Sequence, residues 1–538
     1  MDPADEARRD RWWASGPIRG ALLFALGGVA GAGAFAAWAP SEREPAMDDS
    51  AAAGNSASDA TNAAEPSTSS ASVADVSRRD PLRWLGVGGG ADPSFTQVQL
   101  EQDLALFTQL AGANGAPGAV LFAGGAGVRA VQVLDPAASL EGDAHQRLRA
   151  ELGTLLDPRP ERDAQFRLPG LKVDGPADAP SVLALLRRQL ALPGERLELF
   201  VAAHGDVGET PAENYVSLWG DTSFDARELS TALTAPEARR SARVVITSCF
   251  GGGFAELAFA GAEVSAGPAS HGVCGLFATS AEHESNGCDA NPDRQAQQGY
   301  ALHLLHALRG QGRDGQPVLG LDLDGDGRIG LLEAHTRARI ASDSIDLPST
   351  TSERFLRSLP LEAALGADAS AAVGSTPEED AVIAALGARL ELGDEASVAA
   401  ALTAAEAELD ALALRLDERV AAEDEVLHRI GFALAARWPE LLDPFRADFD
   451  ATLRANASAV AALLDSPDAR EHARLRQQTD RDLMEEDQLR LRWVLLTRLS
   501  RALETRRLAR ALFARGSDDP SRVHYEALLA CERAPLGG

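Results

Sequence analysis

Apolar positions fall into two alternating rhythms from Asp80 onward. In "QVQLEQDLALFTQLA" (97–111), Leu100, Leu104, Phe107 and Ala111 recur at steps of three and four, which predicts a helix with one buried face. "GAVLFAGG" (118–125) is a short apolar run closed by glycines and reads as a buried strand, and "RAVQVL" (129–134) as a second. The Pro- and charge-rich stretch 136–180 reads as a long excursion. The helix "APSVLALLRRQLAL" then leads into the strand "RLELFVAAHGDVGE", whose apolar run stops on His204 and Gly205. "FDARELSTAL" is a helix with Asp225 and Glu228 at capping-box spacing. In "ARVVITSCFGGGFAELAFA" (242–260) a strand runs to Cys249, and three glycines follow. The strand "GLFATS" (275–280) and the helix "QQGYALHLLHALRG" (297–310) complete the alternation. Strands apolar along their whole length, spaced by helices, predict an α/β fold: three layers, with a mostly parallel sheet covered on both faces.

After about residue 375 the strand rhythm ends. Leu402, Ala405, Leu409, Leu412 and Leu416 alternate steps of three and four, a helix seam of the short coiled-coil kind. "DQLRLRWVLLTRLSRALETRRLARALFAR" is a second long helical stretch. Residues 375–538 are therefore expected to form an all-α helical domain. Its first reading is a bundle packed on itself, its second a surface for a partner.

The N-terminus sets the compartment. Residues 20–39, "GALLFALGGVAGAGAFAAWA", form an uncharged run long enough to span a bilayer. Arg8, Arg9, Arg11 and Arg19 precede it, which keeps residues 1–19 cytoplasmic. A transmembrane signal anchor with an exported remainder is the expectation, and a secreted chain after signal-peptide cleavage the alternative. Residues 40–79, poor in large apolar groups, read as a disordered linker between this anchor and a domain spanning 80–374. The formal net charge of −29 excludes nucleic acid as a partner, since nothing offsets phosphate repulsion. Four cysteines (249, 274, 288, 531) are too few for a disulfide scaffold, and Cys274 could pair with Cys288 in an oxidising compartment.

In an α/β sheet, chemistry gathers at the C-terminal ends of strands, and His204 and Cys249 both close apolar runs. A Cys at a strand-to-helix turn lies near helix N–H groups that favour the thiolate. A His on a neighbouring strand tip supplies the proton a leaving amine needs. Gly205 leaves room for its N–H to face a developing oxyanion, and Gly251, Gly252 and Gly253 let a substrate chain approach. The blocks "FVAAHGD" and "VVITSCFGGGF" resemble the His-Gly and Cys blocks of the caspase–hemoglobinase cysteine peptidases. "CGLFATSAEHESNGCDANPDRQAQQGYALHLLHALRG" is similar to the segment after the Cys in the legumain-like branch. The resemblance covers roughly residues 85–345. It implies a caspase-like fold, protein or peptide substrates, Cys249 as nucleophile and His204 as general acid/base. It also implies an oxyanion hole from Gly205 and the Cys249 N–H, and Ser280 lining the primary specificity pocket. The chain departs from the pattern at Thr247, where legumains carry an acid two positions before the Cys, so Asn, Asp and Arg stay open at P1.

One further motif stands apart. "DLDGDGRIGLLE" (322–333) matches the calcium-loop template at every defined position. Asp322, Asp324, Asp326 and Glu333 would supply carboxylates and Arg328 its backbone carbonyl, with Gly327 at the sharp turn. "GQPVLGL" before it is not helical, so a single structural Ca²⁺ loop is expected rather than a paired sensor. The sequence thus reads as a cysteine endopeptidase. Its rivals are a catalytically inactive pseudo-peptidase and a membrane-anchored interaction scaffold.

Overall fold

The first half of the chain is a twisted sheet with helices threaded between its strands. A computed structural model describes residues 82–113, 115–134, 143–157, 164–270, 272–361, 376–444 and 446–536. The expected anchor at 20–39, the residues before it, the linker to 79 and the junction near 375 lie outside these. The order is β1 (Arg83–Gly89), α1 (Val98–Gly112), β2 (Gly118–Phe122), β3 (Val131–Val133), α2 (Ala144–Leu156), β4 (Gln165–Arg167), α3 (Ala179–Leu190) and β5 (Arg196–Asp206). Next come β6 (Tyr215–Leu218), β7 (Thr222–Asp225), α4 (Ala226–Leu233), β8 (Ser241–Ile246), β9 (Val273–Phe277), α5 (Tyr300–Arg309), α6 (Leu331–Ala341), β10 (Ser349–Thr350) and α7 (Thr351–Ser358). The main sheet runs β10-β9-β8-β5-β1-β2. All neighbours in it are parallel except β10, which pairs antiparallel with β9. β3 and β4 form a separate pair within the 136–180 excursion and its approach.

Side chains alternate across β5 because the strand period is two. Phe200 and Ala202 pack with Leu104 and Phe107 of α1 and Leu304 and Leu305 of α5. Leu197, Leu199, Val201 and Ala203 pack on the other face with Val182 and Leu186 of α3 and Leu229 and Leu233 of α4. Both faces are covered, which is why the strands are apolar throughout. The capping box at Asp225 and Glu228 starts α4.

The remaining helices are α8 (Pro377–Leu390), α9 (Glu395–Ala435), α10 (Phe449–Ala455), α11 (Ala457–Leu464), α12 (Pro467–Phe513) and α13 (Pro520–Arg533). α9 and α12 lie antiparallel, with Arg429–Asp468 at one end of the pairing and Arg507–Glu395 at the other. The seam residues Ala405, Leu409, Leu412 and Leu416 are buried. The end of α12 and the inner face of α13 belong to the sheet's own core: Leu508, Leu512, Tyr525 and Leu528 share one cluster with Phe107 and Phe200. Beneath them, Arg243 of β8 is fully buried, pairs with Glu198 at 2.8 Å and donates to the carbonyls of Cys531 and Pro535, each at 3.0 Å.

The pairing of Cys274, left open by the sequence, is with the last helix. Cys274 is disulfide-bonded to Cys531, with Cα atoms 6.2 Å apart, and not to Cys288, which is free. Cys274 is buried on β9 beneath α13, whereas Cys288 lies at the sheet edge beside His204. Among the described residues, no helix is long and apolar enough to cross a membrane.

Candidate functional site

Two strand tips meet at the C-terminal edge of the sheet. β5 does not stop at His204. It continues to Asp206 by exchanging its parallel neighbours for β6, with His204 opposite Ser217 and Gly205 opposite Val216. β8 ends at Ile246, three residues before Cys249, and the Thr247 N–H still donates to Val201 of β5 at 3.0 Å. A Cβ on Gly205 would lie 2.4 Å from the Cys249 carbonyl oxygen and 3.0 Å from Ser248 Cβ. Glycine is therefore required there because the Cys249 backbone packs on it, and this close approach brings the His204 and Cys249 turns together.

Phe250 turns the chain out of the strand with φ of 56°, a left-handed conformation uncommon for a bulky side chain. A 3₁₀ segment, Gly251–Ala258, follows in place of the expected α-helix. Gly252 and Gly253 do not open onto a substrate path. A Cβ on Gly252 would meet the Ser280 carbonyl carbon at 2.5 Å, and one on Gly253 the Pro211 carbonyl oxygen at 2.3 Å. Their small size admits the protein's own backbone. Asn214 fastens this packing by donating to the carbonyls of Phe250 (3.1 Å) and Ala281 (2.8 Å).

His204 is held by the turn after β1. Gln97 Nε2 donates to the Ser94 carbonyl at 3.0 Å, which fixes its amide so that Oε1 faces His204 Nε2 at 2.9 Å. His204 Nε2 therefore carries the proton and Nδ1 is left bare. Nδ1 lies 3.8 Å from the sulfur of Cys288. Burial lowers the His204 pKa, against the Phe95 carbonyl and the charge of Asp92.

Cys249 sits under a different cap. Its sulfur accepts from the Ser285 N–H at 3.3 Å and lies 3.5 Å from the Ser285 carbonyl. Ser285 Oγ donates to the Thr247 carbonyl at 3.0 Å. Burial raises the Cys249 pKa more than the Ser285 N–H lowers it, and Glu284 adds to the rise. The expected thiolate is thus disfavoured in this arrangement, because a short 3₁₀ segment and a half-buried thiol stand where a Cys at the turn into a helix was expected. Burial pushes Cys288 well above the ordinary thiol value as well. The Cys249 N–H has no acceptor among the described residues. Ser280 is buried, with Oγ 2.8 Å from His283 Nδ1, so its hydroxyl is already engaged.

The capping segment is held from below. Asp346 accepts from the N–H groups of Asn286 (2.7 Å) and Tyr300 (2.6 Å). Arg498 of α12, buried, donates to the carbonyls of Arg339, Ser342, Ser344 and Asp346, which fixes the turn that carries Asp346. Gln97, Asn214, Ser285 and Asp346 were not singled out by the sequence, and Cys288 was weighed only as a disulfide partner. The only sequence signal was for Gln97, which follows the glycine-rich turn at the end of a buried strand.

The loop 322–333 lies at the start of α6, apart from this edge. Carboxylate oxygens of Asp322, Asp324 and Glu333 come within 4.8 Å of one another. Asp326 accepts from the Arg328 N–H at 2.7 Å and is not among the three carboxylates that converge. Gly327 has φ of 79°. Three of the expected donors thus converge, and their hard oxygen chemistry suits Ca²⁺.

No family model matches this chain, and no curated protein does. Among solved structures, the crystal structure of protein GSU0716 from Geobacter sulfurreducens aligns with 50% of this chain and 92% of its own, at 12% identity and a TM-score of 0.27. A likeness at that level carries no argument about fold or function.

Proposed function

We propose that this protein is a cysteine endopeptidase of legumain/caspase-like type, with Cys249 as nucleophile and His204 as general acid/base. One observation carries the reading: the Gly205 backbone is packed on the Cys249 carbonyl, so the two tips form one edge. In the reaction the Cys249 sulfur attacks the scissile carbonyl carbon and the thiol proton passes to His204. The C–N bond then breaks, the leaving amine takes that proton, and water releases the acyl group from the thioester. Gly205 and the Cys249 N–H serve the oxyanion, and Ser280, three residues past the end of β9, lines the primary specificity pocket. Ser285 over the sulfur and Cys288 beside His204 describe a resting arrangement, from which segment 284–288 moves aside on substrate binding.

The same cap favours a second reading, a pseudo-peptidase that binds peptide and cuts nothing. Turnover of a mixed peptide library separates the two. Cleavage by wild type that is lost in Cys249→Ala and kept in Cys288→Ala supports the peptidase. No cleavage by any of the three supports the pseudo-peptidase.

The rest of the reading is architectural. Asp322, Asp324 and Glu333 hold a structural Ca²⁺, with Asp326 and the Arg328 carbonyl closing on it. The Cys274–Cys531 bond suits an oxidising compartment, in keeping with a peptidase exported behind a 20–39 membrane anchor. The α9–α12 pair is the element offered to a protein partner.

A further inference from the structure

A cleft of about 320 Å³ lies between α5 and α6, far along the chain from the Cys249 turn. Its floor is the turn that follows α5, closed by the Gly312 N–H on the Gln316 carbonyl at 2.8 Å. The groups around it are mostly donors. Arg337 makes no hydrogen bond or ion pair among the described residues. Arg313 is anchored by one amino group on the carbonyls of Arg294, Gln295 and Gln297, at 2.7–3.2 Å, which leaves the rest of its guanidinium for the cleft. His306 is set by Nδ1 on the Gln311 carbonyl at 2.9 Å, so Nε2 is its free nitrogen. His303 has its Nε2 sealed from solvent with no partner. The one carboxylate of the lining, Asp314, already accepts from the Gln316 N–H at 3.0 Å.

Buried polar atoms are rarely left without a partner, and each exception calls for an explanation. Here an orphaned imidazole nitrogen and an unpaired guanidinium line one cleft in a protein of net charge −29. A cation is the wrong occupant for two arginines. We propose that this cleft is an oxyanion site, which takes the phosphate or carboxylate group of a small ligand between Arg337 and Arg313, beside His303. Arg suits such a group because its planar fork matches paired oxygens.

His303 is also a reporter for this cleft. Burial and the charges of Arg313, Arg337 and Arg498 hold its pKa down to about 4, against Asp343 alone. Gln295, Asp314 and His306 face it from the remaining lining. An anion seated among these groups offsets the arginines and draws a proton onto His303, so binding takes up a proton.

The test is isothermal titration of the full chain with inorganic phosphate and, separately, acetate, in two buffers of different ionisation enthalpy at about pH 6.5. Saturable one-to-one binding of either probe is expected, with proton uptake. The two arms tell a phosphate site from a carboxylate site. Arg337→Gln should weaken binding about tenfold or more. His303→Gln should abolish the proton uptake, with the melting midpoint confirming that each variant folds. The proposal is overturned if neither probe saturates below about 20 mM, or if Arg337→Gln binds as wild type does. Labelling of Cys249 is independent of this cleft, so either idea can fail alone.

Discussion

At the scale of single residues, the sharpest constraint is Gly205. A methyl group there has the Cys249 carbonyl at 2.4 Å and the Tyr215 carbonyl at 3.1 Å in its way, and both are backbone. Gly205→Ala should therefore destabilise the protein by about 2 kcal/mol through overpacking and displace the Cys249 turn. Gly127→Ala, with nothing near its added Cβ, should stay within about 0.5 kcal/mol of wild type. Denaturant unfolding of the two variants checks this, and equal midpoints would show that the two strand tips are not packed as described. His204, Gly205 and Cys249 were legible in the sequence because each closes an apolar run. Their partners were not. Gln97 reaches His204 across 107 positions and Ser285 reaches Cys249 across 36, and no periodicity carries such pairings. The surroundings of Cys249 were hidden for the same reason: a local pattern shows the turn after the strand, but not the segment that covers it.

At the scale of elements, two buried carboxyl groups shape the pH response. Glu532 of α13 accepts from Thr351 Oγ1 at 2.6 Å and the Ser352 N–H at 2.8 Å, and burial nevertheless raises its pKa to about 7. Burial likewise raises Asp346 to about 6. A carboxyl whose folded pKa lies above its usual value binds its proton more tightly in the folded state. Its stabilisation is complete below the usual carboxyl range and is lost as pH rises through the folded value. Between about pH 4.5 and pH 7 Glu532 thus withdraws up to about 3 kcal/mol. Glu532→Gln should flatten the fall in unfolding free energy between pH 5 and pH 8, as measured by urea titration at several pH values. A fall as steep as in wild type would assign the effect elsewhere. The loop at 322–333 gives a second expectation. Millimolar Ca²⁺ should raise the melting temperature by the equivalent of about 1 kcal/mol, and the rise should vanish in Glu333→Gln. Steady-state cleavage should change little, since the loop opens α6 away from the Cys249 edge. Calcium that switched on activity without changing the melting temperature would contradict the structural role. Helices and buried strands were legible here because their periods differ. The exchange of partners that carries β5 past His204 was not, because the extension is set by pairing with β6.

At the scale of the whole molecule, the change of rhythm near residue 375 was legible, but the return of the chain was not. α13 reads as one more helix, yet Tyr525 and Leu528 pack in the core beside the sheet, and Cys531 is bonded to Cys274 of β9. The last helix is thus part of the frame that supports the site. Reduction of this bond, or Cys531→Ala, should cost about 3 kcal/mol, seen as a lower denaturant midpoint. No shift would mean that α13 is held by packing alone. The central claim is that Cys249 is the nucleophile of this edge, and covalent mapping on the intact chain tests it most directly. The full-length protein is treated with a peptide carrying a thiol-reactive electrophile, digested, and analysed by mass spectrometry. The account expects the adduct on Cys249 alone, at one per chain, and none once His204 is replaced by Ala. An adduct confined to Cys288, or labelling of Cys249 no faster than that of an unfolded control, would contradict it.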